Sequence, residues 1–343
     1  MSFVSRMIGT AERVPLPDLI IRAAVQRLCS RTAARLASGS AESDAAFAGE
    51  MAARAIAEEH TGEANARHHE VPAAFFAQVL GPNRKYSSCF YKEPASTLQE
   101  AEEEALRQTI EHADLADGQA ILELGCGWGS LALSMARRFP RAEVTAVSNS
   151  HSQREYIEQA AVSRGLKNLQ VVTADMNVFD AGRQFDRIVS VEMFEHMMNW
   201  RELMTRVRSW LKPGGRFFMH IFTHRSGAYL FDRADGDDWI AQHFFSGGVM
   251  PSHHLIRQYA DLFEVEKEWR WSGTHYQRTA LDWLDNFDSH RDEIEAILRG
   301  VYGNDTPLWM RRWRWFFLAT SGLFGYAEGS EWGVSHYRMK AAG

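Results

Sequence analysis

Residues 119–129 read Gln-Ala-Ile-Leu-Glu-Leu-Gly-Cys-Gly-Trp-Gly, and the fold is decided there. Ala120, Ile121, Leu122 and Leu124 make a short apolar run, and Gly125, Gly127 and Gly129 follow at alternate positions. A helical pattern then runs from Ser130 to Phe139. Strand, glycine turn and helix, in that order, is how an α/β sheet presents a nucleotide-like ligand. Glycines let the turn bend sharply and let the ligand lie on bare backbone, while helix N–H groups meet a carboxylate or phosphate. The spacing is G-x-G-x-G, not the G-x-G-x-x-G of dinucleotide folds. The next strand, 142–147, ends in Ser148-Asn149-Ser150, without the acidic residue that an NAD site wants about 20 residues on. No Gly-Lys-Ser/Thr follows the turn, so it is not a P-loop.

Outward from this stretch the pattern alternates. Strands are expected at 119–124, 142–148, 169–174, 185–191 and 216–222, with helices at 129–138, 151–164 and 200–211 between them. Such alternation means right-handed crossovers and a mainly parallel sheet. Upstream lie helices at 17–36, 42–61, 71–80 and 97–113, with a polar join at 62–70. Downstream, 223–250 is a Gly/Asp-rich aromatic loop too long for mere connection. Helix 252–262 and strand 264–271 resume the pattern, helices near 279–299 and 306–324 interrupt it, and 332–340 alternates like a final edge strand.

Open α/β sheets bind ligands at the carboxyl ends of their strands, so each strand end is a candidate site. After the first lie Glu123, Gly125 and Gly127; after the second, Asn149 and Gln153, suited to ribose hydroxyls. After the third come Asp175, an acceptor for an adenine amine or an ordinary turn carboxylate, and Met176, able to cover the ring. After the fourth comes Glu192-Met-Phe-Glu195-His196. Two carboxylates three apart and an imidazole suit an amine: a carboxylate holds the ammonium and the imidazole takes its proton. The plainer reading makes Glu195 a helix cap and His196 a satisfied core residue. His68-His69, His253-His254 and the His220/His224 pair show no carboxylate or Cys partner at ligand spacing, so no metal is expected. His220, at the end of the fifth strand, can still face the site.

With a net charge of −6 the chain is a poor partner for nucleic acid. Cys29, Cys89 and Cys126 are scattered and fit a reducing, cytoplasmic setting, and no apolar run reaches transmembrane length. Six arginines against two acids in residues 1–40 suggest a basic helix of the fold, or else a targeting or membrane-surface segment. Eleven Trp and 20 Phe are many, and a concentration of Trp in the last 80 residues suggests an aromatic cap or pocket wall, or simply core.

Glu123 with G-x-G-x-G resembles motif I of S-adenosylmethionine methyltransferases. Tyr86-Ser-Ser-Cys-Phe-Tyr91, Leu124-Gly-Cys-Gly-Trp-Gly129, Glu192-Met-Phe-Glu-His196, the 244–252 stretch, Gly273-Thr-His-Tyr276 and Leu323-Phe-Gly-Tyr326 together resemble the cyclopropane fatty-acid synthase superfamily. The likeness is strongest to its coclaurine N-methyltransferase-like branch. It implies a Rossmann-like class I methyltransferase fold: α/β, a mainly parallel seven-stranded sheet, N-terminal helices and inserted cap helices. The implied division is a helical segment at 1–80 and a methyltransferase domain at 81–343, with caps at 223–262 and 275–330.

By the resemblance, Tyr86, Ser87, Gly125 and Gly127 touch the methionine end of S-adenosylmethionine, Asn149 and Gln153 its ribose, and Asp175 and Met176 its adenine. Glu192, Glu195 and His196 match the substrate-amine and base positions, with Phe194, His220, Tyr276, Phe324 and Tyr326 around the substrate. Cyclopropane synthases of this superfamily bind bicarbonate with a Cys and a Tyr whose places are taken here by Ser88 and Leu284, and commonly carry Gly where this chain has Glu192. A lost phenol and a gained carboxylate suit an ammonium better than an alkene. The expected activity is methyl transfer to a small aromatic or cyclic amine. The alternatives are methylene or methyl transfer to unsaturated acyl chains and a non-catalytic S-adenosylmethionine-binding protein; a homodimer is compatible with each.

Overall fold

A computed structural model describes residues 11–57, 71–232, 239–245 and 247–343. The chain opens with helices α1 (Asp18–Leu36), α2 (Ala41–Ala52), α3 (Ala73–Val79) and α4 (Leu98–His112). The alternating part is β1 (Ala120–Leu124), α5 (Ser130–Arg138), β2 (Glu143–Ser148), α6 (His151–Ser163), β3 (Leu169–Thr173), β4 (Phe185–Val191), α7 (Trp200–Ser209) and β5 (Leu211–His224). Then come β6 (Tyr229–Leu230), α8 (Trp239–His243), β7 (Val249–Met250), β8 (Phe263–Ser272), α9 (Gly273–Ser289), α10 (Arg291–Tyr302), α11 (Thr306–Gly325) and β9 (Trp332–Ala341). The expected polar join at 62–70, His68 and His69 lie outside the described residues.

Seven strands form one sheet in the order β3-β2-β1-β4-β5-β9-β8, parallel from β3 to β5 and antiparallel at β9 and β8. β1 is buried at all five positions, as a central parallel strand covered on both faces must be. The chain steps outward from β1 to β2 on one side and returns to β4 on the other. That reversal opens a crevice at the carboxyl ends of β1 and β4, where such sheets hold their ligands.

The structure corrects four expectations. Residues 332–340 are not an edge strand: β9 lies between β5 and β8, and β8 is the edge. His336 and Ser335, on opposite faces of β9, are both fully buried, which an edge strand does not allow. β8 instead carries the charges that protect an edge, Glu264, Lys267, Glu268 and Arg270. Helix 252–262 reduces to a 3-10 turn at Leu255–Tyr259. Ser252 is bridged to β5 and its hydroxyl donates to buried Asp44 at 2.6 Å, so this stretch cannot coil into a full helix. The described helix over 42–61 stops at Ala52. β5 begins at Leu211, taking in Lys212-Pro-Gly-Gly215, with an irregular register where it meets β4.

Two large apolar clusters fill the molecule. One packs the sheet against α2 and α7 through Leu122, Phe217, Trp200 and Met204. The other is an aromatic core uniting α1, α3, α9, α10 and α11 through Phe75, Trp283, Phe287, Trp313 and Phe317. α1 is tied to α9 and α11 by Arg314 of α11, whose guanidinium reaches Asp18 and, at 2.9 Å, Asp288 of α9. No helix among the described residues is long and apolar enough to cross a membrane.

Candidate active site

The glycine turn divides its labour. Gly125 and Gly129 have φ of +78° and +76°, and a Cβ on either would lie 2.5 Å from Met193 Cγ or 2.6 Å from Ile157 Cγ1. These two let the turn pack. Gly127, at φ +51°, has nothing within 4 Å of its missing Cβ, so it borders open space where a ligand can lie on the backbone.

Glu123 is buried beneath the turn with Oε2 unpartnered, and burial alone pushes its carboxyl up to about 8. The Ser130 and Thr173 hydroxyls are likewise buried without partners. Asn149 is exposed, while the Gln153 side-chain oxygen accepts from the Ser148 hydroxyl at 2.6 Å. Asp175 is exposed and takes the Asn177 N–H at 2.8 Å, so it holds a turn while offering its other oxygen; Met176 beside it is buried. Tyr86 leaves 39% of its surface open, with its ring 5.0 Å from Phe76 and 5.6 Å from Trp283. Ser87 is buried and accepts from Lys85 Nζ.

The second half of the site centres on Glu192. It stands at the end of β4 with φ +46°, a left-handed conformation that costs a non-glycine residue roughly 1–2 kcal/mol. Three donors converge on its carboxylate. The Ser88 N–H reaches Oε1 at 2.9 Å, His220 Nε2 lies 3.1 Å from the same oxygen, and the Tyr276 hydroxyl donates to Oε2 at 2.8 Å. Burial nevertheless raises the carboxyl above its ordinary range, against the pull of the Lys85 charge and these hydrogen bonds. Lys85 is itself buried, with Nζ donating to the Ser88 carbonyl at 2.6 Å, and desolvation draws its ammonium below the usual lysine range.

Glu195 is fully buried with both carboxylate oxygens unpartnered, and burial, then the charge of Glu192, drives it well above a normal carboxylate. His196 is not the core residue of the plainer reading: it is exposed, its ring 4.3 Å from Phe245. An aromatic wall continues from Phe245 to Phe222 (5.6 Å), Phe324 (6.1 Å) and Tyr276, stacked on Phe324 at 4.2 Å.

Of the expected substrate residues, His220, Tyr276 and Phe324 therefore gather at Glu192. Phe194 does not. It is fully buried between Trp200 and Phe217 and belongs to the sheet core, because the 3-10 turn at 194–196 points it inward as His196 points out. Tyr326 packs edge-on against Trp332. Two further expectations change. His220 does have a carboxylate partner, Glu192. The phenol lost at buried Leu284 is matched by another, that of Tyr276. Lys85 and Phe222 carry no sequence signal beyond a loop lysine and an apolar strand residue, and Phe245 enters only as part of the 244–252 stretch, without a role.

A family model described as mycolic acid cyclopropane synthetase matches residues 57–324. The chain belongs to that family. It is 35% identical to (S)-coclaurine N-methyltransferase from Thalictrum flavum subsp. glaucum over 277 residues, covering 79% of this chain and 77% of the relative. A crystal structure of coclaurine N-methyltransferase bound to N-methylheliamine and SAH superposes with a TM-score of 0.93 at 31% identity, covering 99% of this chain and 100% of the other. The cyclopropane-fatty-acyl-phospholipid synthase of Escherichia coli K12 is 29% identical, covering 78% of this chain and 65% of that protein.

The chain is thus a class I methyltransferase that uses S-adenosylmethionine. Its residues fit the cofactor. Gly127 leaves room against the backbone, and the unpartnered, buried Glu123 oxygen could accept from a ligand ammonium.

Proposed function

We propose that this member of the family methylates the nitrogen of a small cyclic or aromatic amine of the tetrahydroisoquinoline class. One observation carries the reading: a buried carboxylate, Glu192, is held in a strained backbone conformation by three donors beside an aromatic wall. A site for an uncharged alkene gains nothing from that strain. A site for an ammonium gains a counter-charge, and ring faces at Phe222, Phe245 and Phe324 add attraction for a cation.

The bound cofactor supplies an electrophilic methyl on a positive sulfur. Glu192 and Glu195 cannot both ionise in a shared buried site. Glu192, with its donors and the Lys85 charge, is the ionised member; Glu195, without partners, keeps the proton. Glu192 anchors the ammonium and His196, on the open side, takes its proton. The freed nitrogen lone pair then forms the new N–C bond as the sulfur–carbon electrons return to sulfur. The balance is one ammonium methylated and one proton released to solvent. Positioning of the nitrogen supplies much of the acceleration. The three cysteines are free and buried, which suits work in the cytoplasm.

The test is product detection with methyl-labelled cofactor, offered cyclic secondary amines and, separately, vesicles of unsaturated phospholipid. Label on nitrogen is expected. Label in the acyl chains with none on nitrogen overturns the reading.

A further inference from the structure

Glu12 lies in the turn at 11–14, where the Val14 N–H reaches the Ala11 carbonyl at 3.2 Å. A carboxylate on such a turn is ordinarily solvated, yet Glu12 is only 5% exposed. Its neighbours explain why. The Trp239 indole N–H donates to Oε1, and His243 Nε2 lies 3.1 Å from the same oxygen. Arg312 Nη2 donates to Oε2 at 2.8 Å, and Arg311 Nε reaches the Glu12 carbonyl at 2.6 Å. Burial pulls the carboxyl upward, but the hydrogen bonds from His243, Arg312 and Trp239 outweigh it and hold it at about 2. Glu12 is therefore ionised at any working pH.

These partners are the two ends of α8 and one face of α11, 227 to 300 residues away in the chain. Trp239 and His243 are four apart, so they share one face of α8. A five-residue helix has too few internal hydrogen bonds to hold itself. Ring contacts pack its apolar side: Trp239 lies 5.9 Å from Trp315, and Phe244 stacks on Phe316 at 4.6 Å. Burial of that kind is non-directional. Hydrogen bonds from both ends of the helix to one carboxylate oxygen are directional, and they fix the rotation of α8 about its axis.

That rotation matters because of what α8 carries. The N–H groups of Phe244 and Phe245 both reach the Ile240 carbonyl at 2.9 Å, so both rings hang from its last turn. Phe244 faces α11, 5.0 Å from Trp313. Phe245 faces the site, 4.3 Å from the His196 ring and 5.6 Å from Phe222. Phe245 has no slack there: a Cβ on Gly248 would lie 2.0 Å from its ring.

We propose that Glu12 is a positioning residue for the aromatic wall: it locks α8 against α11 and so holds Phe245 over His196 from a distance. The lock itself stands on geometry alone; its effect on amine binding rests on the amine-methylation reading.

The experiment compares the parent with Glu12→Ala, which empties the lock, and Glu12→Gln, which keeps one acceptor. Asp18→Asn is the control, since it weakens another carboxylate link to α11, that with Arg314, without touching α8. Amide hydrogen exchange is followed for the 239–245 peptide, and kcat and KM are measured for tetrahydroisoquinoline with methyl-labelled cofactor. Glu12→Ala should speed exchange at 239–245 about 10-fold and leave the β9 peptide unchanged. It should raise the amine KM about 10-fold, with kcat within about threefold and cofactor affinity unchanged. Glu12→Gln should fall between it and the parent, and it carries the comparison if the alanine variant does not fold. Asp18→Asn should match the parent in both readouts. A mere loss of folded protein lowers kcat and leaves KM where it was, so the split separates positioning from stability. Parent-like exchange at 239–245 in the Glu12 variants overturns the proposal, as does faster exchange with an unmoved KM, or a KM raised as much by Asp18→Asn. If the parent methylates no amine, exchange still decides the lock, so failure of the functional reading shows separately.

Discussion

The cofactor turn and the Glu192 site proposed for the amine meet at Met193, yet they are built in opposite ways. The turn is one contiguous stretch, 123–130, whose shape comes from backbone and from glycines that adopt φ near +75°. The pocket is assembled from residues 85–88, 192–196, 220–222, 245, 276 and 324, on loops, strands and cap helices far apart in the chain. The turn offers open backbone at Gly127 and one buried carboxyl, Glu123. The pocket offers a carboxylate under strain, a buried lysine and rings. A contiguous backbone device suits a cofactor that does not change; a dispersed side-chain device can be re-tuned for another substrate without disturbing the turn.

If the two halves are separable, variants should split cleanly between them. Glu192→Gln keeps the shape and removes the counter-charge. The loss of a buried charge partner costs about 4 kcal/mol, close to 10³-fold in kcat/KM for the amine. Cofactor affinity, measured by calorimetry, should stay within about twofold. An equal loss of cofactor affinity would mean the halves are one device. Gly125→Ala is the converse. Its Cβ would meet Met193 at 2.5 Å and sit at φ +78°, so about 2 kcal/mol should be lost, read as cofactor binding weakened about 30-fold. Because Met193 precedes Phe194 and follows Glu192, a secondary fall in amine turnover is the sharpest sign of coupling.

Legibility follows the same division. The turn, the parallel strands and the carboxyl-end residues could be read because their signals are local: apolar runs, glycine spacing, one helix after each strand. The place of β9 could not, since alternation along 332–340 says that a strand exists and nothing about its neighbours. The His220–His336 pairing is hidden for the same reason: it exists only in register. Lys85 reads as a solvated loop charge until Ser87, Ser88 and Glu192 close over it. Phe194 misled because a 3-10 turn reverses the facing that a strand end or a helix cap would give.

The smallest effect tests whether the turn, too, depends on charge. Burial raises Glu123 from 4.5 to about 8, so the free protein holds a proton there that the unfolded chain gives up. The sign follows: this group's contribution to stability falls as pH rises from about 4.5 to 8, since the native state then binds more protons than the unfolded one. A cofactor ammonium beside Glu123 would favour the ionised form, so binding should release a proton below pH 8. Affinity should then climb several-fold per pH unit, up to a limit of about tenfold, and level off near 8. Calorimetry in buffers of different ionisation heat counts that proton directly. Glu123→Gln should abolish both the release and the slope. A flat profile in the parent would mean that the turn binds by backbone alone, and that charge recognition belongs entirely to the amine half.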